Sequence, residues 1–207
     1  MFDRLGFDQA PDVEEKPGQR LLIVGAAGGV GSILTQLAKQ LTGAIVIGTA
    51  SRPESQAWVK DLGAYHVIYH RQPFSEELAR IGIDNVTHVI SLNHTDDHFD
   101  RLVEVLAPQG KFALIDDPET LLDIRKLKQK SISLHWELMF TRSMFETDDM
   151  TKQRDLLNRV AELIDAGSIR TTVGAHYGVI CAENLRKAHR DIETGSAIGK
   201  IVLEAFA

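Results

Sequence analysis

The chain has 207 residues, 43% of them hydrophobic and 25% charged, and a formal net charge of −6. That is the composition of an ordinary soluble globule, long enough for one α/β domain with a sizeable core. The acidic balance argues against a nucleic-acid partner or an anionic membrane surface, and the single cysteine, Cys181, excludes an internal disulfide or a four-cysteine zinc site. No apolar run approaches the ~20 residues that span a bilayer, and no charged-then-apolar leader opens the chain, so a soluble cytoplasmic protein is expected.

Residues 1–18 read as a polar, turn-rich lead-in (Pro11, Pro17, Gly18, with Asp12, Glu14 and Glu15), carrying at most one helical turn around Phe2–Leu5. A strand at 19–24 then meets a glycine-dense turn and a helix that stops near Gly43. Val30, Ile33, Leu34, Leu37, Ala38 and Leu41 recur at helical spacing and predict one apolar stripe. Strands follow at 44–49, 65–69, 85–92, 111–115 and 131–136, alternating with helices at 53–62, 74–81, 97–106 and 121–127. Alternation with short connections predicts an α/β Rossmann fold: a doubly wound parallel sheet of six strands in order 3-2-1-4-5-6.

A longer helix at 149–166 carries Leu156, Leu157, Val160, Leu163 and Ile164 on one side and stops at Gly167. Beyond it, an extended stretch at 171–179, a helix at 182–193 and a closing strand at 200–203 are too small for a domain of their own. The expected division is a lead-in at 1–18, a dinucleotide-binding domain at 19–167 and a separate C-terminal segment at 168–207.

The chemistry is concentrated in Ala26-x-Gly28-x-x-Gly31, one position short of the G-x-G-x-x-G fingerprint. Missing β-carbons let a backbone approach a pyrophosphate, and the amides of the helix start point at it. A plain glycine-rich turn is the alternative, and the exit of strand two bears on the choice. That exit reads Thr49-Ala50-Ser51-Arg52-Pro53, with no acid to accept the ribose 2′-OH of NAD. Ser51 and Arg52 are suited to a 2′-phosphate, so NADP is expected over NAD. Asn93-His94-Thr95 and Asp116-Asp117-Pro118 fall at the ends of strands four and five, where the crevice of such a sheet lies. His94 and His98 read as solvated loop histidines rather than a metal pair, and Cys181 as an inert thiol. His135 and Glu137 read as packed strand residues.

AAGGVGS at 26–32, TASRP at 49–53, WVKDLGA at 58–64, APQGKF at 107–112, HWELMFTRSMF at 135–145 and IGKIVLEAF at 198–206 together resemble a known superfamily. It is the medium-chain dehydrogenase/reductase superfamily, in its zinc-type alcohol dehydrogenase-like and quinone oxidoreductase branch. The resemblance implies an NADPH-dependent oxidoreductase that transfers hydride to a carbonyl, quinone or enone. It implies an N-terminal GroES-like domain carrying the substrate pocket and any catalytic zinc. The present chain lacks that domain, so it is expected to be a fragment that binds NADP(H) with little catalysis alone and holds no zinc.

Carried onto this sequence, Gly28, Gly29 and Val30 should meet the pyrophosphate, with Thr49 at the strand exit and Ser51 and Arg52 on the 2′-phosphate. His70 stands where relatives often place a tyrosine, and Glu54-Ser55-Gln56 where they often have a lysine, which leaves more of the charge to Arg52. Asn93 and Thr95 should lie by the nicotinamide ribose, and Phe140, Thr141 and Arg142 near the nicotinamide. Lys200, in the closing GKIVL strand, either reaches the cofactor or serves only the sheet, the structural role being favoured. Strand 131–139 is expected to form a homodimer edge to edge. Two readings of other classes stand beside this one. The first is a free-standing dinucleotide-binding, sensing or dimerisation module without hydride chemistry. The second, disfavoured by the missing acid after strand two, is a Rossmann-like methyltransferase.

Overall fold

The computed structural model describes residues 2–7 and 18–206, so the lead-in signals at Pro11, Asp12, Glu14, Glu15 and Pro17 lie outside it. Six strands form one wholly parallel sheet: β1 (Arg20–Val24), β2 (Ile45–Thr49), β3 (His66–Ile68), β4 (Val86–Ser91), β5 (Leu106–Leu114) and β6 (Ser133–Trp136). Their spatial order is β3-β2-β1-β4-β5-β6, as the alternation of strands and helices predicts. Alternate side chains of β1 serve two cores. Leu22 and Val24 join Ile47, Ile68, Phe99, Leu102 and Phe112 on one face, whereas Leu21 and Ile23 join Val46, Val59 and Ile90 on the other.

The first face is covered by α4 (Phe74–Arg80), α5 (Thr95–Val105) and a 3-10 helix at Ile124–Lys130. The second is covered by α2 (Gly29–Leu41), α3 (Pro53–Asp61) and the short α1 (Phe2–Leu5). The stripe expected on α2 is rotated. Gly31, Leu34, Thr35, Ala38 and Leu41 are buried, while Val30 is 46% exposed at the helix start. Small residues let the helix lie close on the sheet. Ile33 and Leu37 turn instead toward Leu163 of α7 (Lys152–Asp165), which covers that flank.

Three boundaries differ from expectation. α5 begins at Thr95, two residues early. β5 runs from Leu106 through the Pro108-Gln109-Gly110 bend, with a register shift opposite Val86 and His88 and with Gln109 at φ 62°. The helix expected at 121–127 is the 3-10 turn, shifted because the Asp123 side chain accepts the Arg125 amide and sets its start, which leaves Leu121 in solvent. A one-turn helix, α6 (Thr141–Met144), follows β6 without a sequence signal.

The C-terminal pieces are α8 (Ala182–Glu193) and a separate two-stranded parallel sheet of β7 (Val173–His176) and β8 (Lys200–Val202). Cys181 is half-buried at the start of α8. No described helix is long and apolar enough to cross a membrane.

α1 docks through one carbonyl. The oxygen of Leu5 accepts Lys111 Nζ at 2.7 Å and lies 3.2 Å from His88 Nε2, while Phe7 packs on the His88 ring. Lys111 and a carbonyl face the ring, so Nε2 carries the proton and His88 stays neutral. Burial pushes its pKa down to about 4. In the unfolded chain the ring titrates near 6.5, so between these values the unfolded state binds more protons and stability rises with pH. Unfolding in urea between pH 7 and 4.5 should show stability lost as pH falls below 6.5, with His88 contributing up to about 3 kcal/mol. His88→Gln should flatten that dependence, and a variant with the wild-type slope would exclude His88 as its source.

Candidate functional site

The C-terminal ends of β1, β2 and β4 converge on the glycine turn. Gly25 has φ 80°, and its amide donates to Thr49 Oγ1 at 3.1 Å, so Thr49 shapes the turn from inside. A Cβ on Gly31 would stand 2.2 Å from the Gly25 carbonyl, so the first turn of α2 rests directly on the end of β1. Gly28 is different: a Cβ there would meet only the Gly25 carbonyl, at 3.5 Å. Gly28 is the N-cap of α2, and no side chain caps the helix start, so its first amides face the cleft.

One cleft of about 230 Å³ brings together Gly28, Thr49, Ser51, Arg52, His70 and Asn93 with Gly25, Ala27, Ser55 and Arg71. Thr194, Gly195, Ser196 and Ala197 form its far wall. Among the described residues that line it there is no Asp or Glu. The His70 pKa is lowered, first by burial and then by the positive charges of Arg71, Arg101 and His94. A second opening, about 420 Å³, continues past Gly28 and Gly29 toward Ile192, Gly199 and Lys200.

The wall built by the C-terminal segment is pinned to the loops it faces. Gly199 pairs with Gly28 in an isolated parallel bridge, and its amide donates to the Ala27 carbonyl at 2.8 Å. Arg52 donates to the Ser196 carbonyl. Lys200 extends over the start of α2, where a Cβ on Gly29 would lie 2.5 Å from its Cε and 2.8 Å from its Nζ. An ammonium beside the positive end of a helix is a favourable pairing only when an anion lies between them.

Not every expected residue reaches the cleft. Thr95 is fully buried: its amide donates to Asp116 Oδ2 at 2.9 Å and its hydroxyl bonds Asp116 and Ser91. It anchors the start of α5 instead of lining the opening, because Asp116 at the end of β5 takes both its donors. Val30 lies at the cleft mouth with its side chain in solvent. Phe140, Thr141 and Arg142 lie in and just before α6, away from the glycine turn. Phe140 is 53% exposed, and Arg142 is held by Asp149 at 3.1 Å. Arg71 and the wall at 194–197 carried no sequence signal beyond a basic pair after strand three and a Gly-Ser turn. Lys200, for which the sequence left cofactor and sheet both open, extends over the start of α2.

The sequence of residues 62–203 matches the family model for the zinc-binding dehydrogenases. The chain belongs to that family. A zinc-type alcohol dehydrogenase-like protein of Staphylococcus epidermidis is 34% identical over 203 residues, covering 98% of this chain and 60% of the relative. A solved Rhizobium etli protein of the zinc-dependent alcohol dehydrogenase type is 50% identical with a TM-score of 0.86, over 93% of this chain and 56% of that one. The Escherichia coli quinone oxidoreductase, solved with NADPH, is 26% identical with a TM-score of 0.74, over 92% and 58% of the two chains. These findings bear out the resemblance drawn from the motifs. The chain spans about 60% of the length of these curated relatives. An NAD-dependent alcohol dehydrogenase of Saccharolobus solfataricus also matches, at 28% identity, so membership does not choose between the two dinucleotides. Among the described residues no group of three His, Cys, Asp or Glu side chains could hold a metal.

The two glycines make a stability test. Gly31→Ala should lower stability by about 3 kcal/mol or more, because the helix start must lift off β1, whereas Gly28→Ala should leave the melting temperature nearly unchanged. Thermal unfolding of both variants checks this, and equal losses would contradict the packing described.

Proposed function

We propose that this chain is the cofactor-binding part of an NADPH-dependent oxidoreductase, with residues 19–167 as the dinucleotide domain and 168–207 as a segment that returns to a GroES-like catalytic domain. The observation that carries the reading is the cleft: open helix amides at one end, Ser51, Arg52 and His70 at the other, and no lining carboxylate among the described residues. The residues fit a pyrophosphate-bridged dinucleotide, since Gly28 leaves the approach clear and Lys200 supplies a counter-charge. The missing acid at the strand-two tip favours the 2′-phosphate of NADP over the free hydroxyl of NAD.

When bound, the nicotinamide supplies the hydride for reduction of a carbonyl, quinone or enone. This chain's own residues bind and orient. The α2 amides, with Lys200, hold the pyrophosphate. Arg52 and Ser51 take the 2′-phosphate, and Asn93 lies by the nicotinamide ribose. Phe140, Thr141 and Arg142 lie on the side from which the substrate domain would close. By itself the chain would bind cofactor with little turnover.

A homodimer through residues 131–139 fits the same reading. β6 is a sheet edge, and Trp136, Leu138, Met139, Phe140, Met144 and Phe145 are each more than half exposed beside it.

Fluorescence titration should give a dissociation constant for NADPH at least about tenfold below that for NADH, and Arg52→Ala should abolish most of the difference. Equal affinity for the two cofactors in the wild-type chain would refute the NADP assignment. In sedimentation the protein should run at twice its 23.0 kDa chain mass, and the double substitution Leu138→Lys, Met139→Lys should return the monomer. A wild-type monomer would remove the dimer from the reading.

A further inference from the structure

The turn after β3 carries the guanidinium of Arg71. Arg71 lines the same cleft as Arg52 and Ser51 and is exposed, and among the described residues none pairs with it. Arg52, by contrast, is already bonded to the Ser196 carbonyl. A cleft with two guanidiniums, three serine side chains and, among the described residues, no lining carboxylate is built for a dianion, and one arginine does not neutralise a dianion.

The turn that presents Arg71 is held from both sides. On one side the amide of Tyr69 donates to Glu77 Oε2 at 2.8 Å, and Glu77 is itself held by Arg80 at 2.9 Å. On the other side Arg101 of α5 spans the turn. Its Nη1 lies 3.4 Å from the His70 carbonyl and 3.5 Å from the Gln72 carbonyl, the two carbonyls flanking Arg71. The Nη2 atom of Arg101 lies 2.5 Å from His98 Nδ1. A guanidinium only donates, so Nδ1 must accept and His98 is the neutral Nε2–H tautomer. The Arg101 guanidinium also lies over the Phe74 ring, 5.2 Å from its centroid. These contacts fix its plane, and among the described residues it has no carboxylate partner, so its role is to hold the turn.

We infer that Arg71 is a second arm of the clamp on the cofactor's 2′-phosphate, and that Arg101, braced by His98, is the positioning residue that holds the Arg71 turn over the cleft. The inference rests on the NADP reading above and adds to it the residues that set the preference. His70, next to Arg71, lines the same cleft; burial first, and then the charges of Arg71, Arg101 and His94, lower its pKa, so it serves as a hydrogen-bonding wall and not as a third cation.

The test measures dissociation constants for NADPH, NADH, 2′,5′-ADP and 5′-AMP on the full chain, with melting temperatures alongside. Arg71→Gln should weaken NADPH and 2′,5′-ADP by about tenfold and leave NADH and 5′-AMP within about twofold. Arg71→Lys should recover most of the loss. Arg101→Gln should weaken the two phosphorylated ligands by a few-fold without weakening NADH. If Arg71→Gln leaves NADPH within about twofold, or weakens NADH equally, Arg71 is not in the clamp. An equal loss on all four ligands in Arg101→Gln would make that residue merely structural. The two levels separate cleanly: a wild-type chain without NADPH preference overturns the NADP reading, whereas a preference lost in Arg52→Ala but kept in Arg71→Gln overturns only the second arm.

Discussion

The fold depends on how closely α2 can approach the end of β1. Gly31 rests on the Gly25 carbonyl at a distance that admits no side chain, and this contact fixes the direction of the helix. With the axis set, Leu34 and Ala38 reach the sheet core, Leu37 packs at its margin, and Leu41 and Ile33 are left for Leu163 of α7 to cover. The same contact aims the uncapped first turn of α2 at the cleft. Packing and binding therefore share one glycine, but they make separate demands on its neighbours. Gly28 has room that the fold does not use, and a ligand backbone would use it.

Charge organises the other end of the cleft. The chain as a whole is acidic, at −6, yet the described residues lining this opening include no carboxylate. Three acids on the neighbouring turns and helices are occupied elsewhere. Asp116 closes the start of α5, Asp96 accepts the amides of Glu119 and Thr120, and Glu77 holds the amide of Tyr69. Burial and the surrounding cations suppress proton uptake by His70 and His98, the latter to about 4, so the local charge at neutral pH comes from the arginines. A permanent positive charge that pH does not switch off suits a phosphate whose own charge varies little above neutrality.

Much of this was legible in the sequence, and the limits have physical causes. The sheet order follows from short connections between alternating strands and helices, which leave few topologies open. Ser51 and Arg52 were legible because their place at the tip of strand two is a place of known geometry. Arg71 was not, because a basic residue in a turn carries no direction until Arg101, on a helix built later in the chain, pins the turn. For Lys200 the sequence favoured the sheet over the cofactor, because only the parallel bridge between Gly199 and Gly28 brings it to α2. Thr95 was misplaced for the opposite reason: its hydroxyl looked available, and the carboxylate that captures it lies on the next strand. The 3-10 turn at Ile124–Lys130 was shifted by a single cap, Asp123, whose effect is local and outweighs the weak periodicity around it.

The C-terminal segment shows why cleft and fold cannot be treated separately. A two-stranded sheet is marginal in water by itself, and β7 and β8 have no third strand among the described residues. What holds them is contact with the dinucleotide half. Gln36 receives the Arg170 amide at 2.8 Å, Gln40 donates to the Ser168 carbonyl at 3.1 Å, and Arg170 bonds Asp61 and lies over the Trp58 ring. The last of these anchors is the glycine turn itself, through Gly199 and Ala27. The wall of the cleft is therefore also the attachment of the segment. Any anion that draws Lys200 and the α2 amides together tightens the same contact that keeps β8 in place, since a ligand bound only to the docked arrangement stabilises it by mass action.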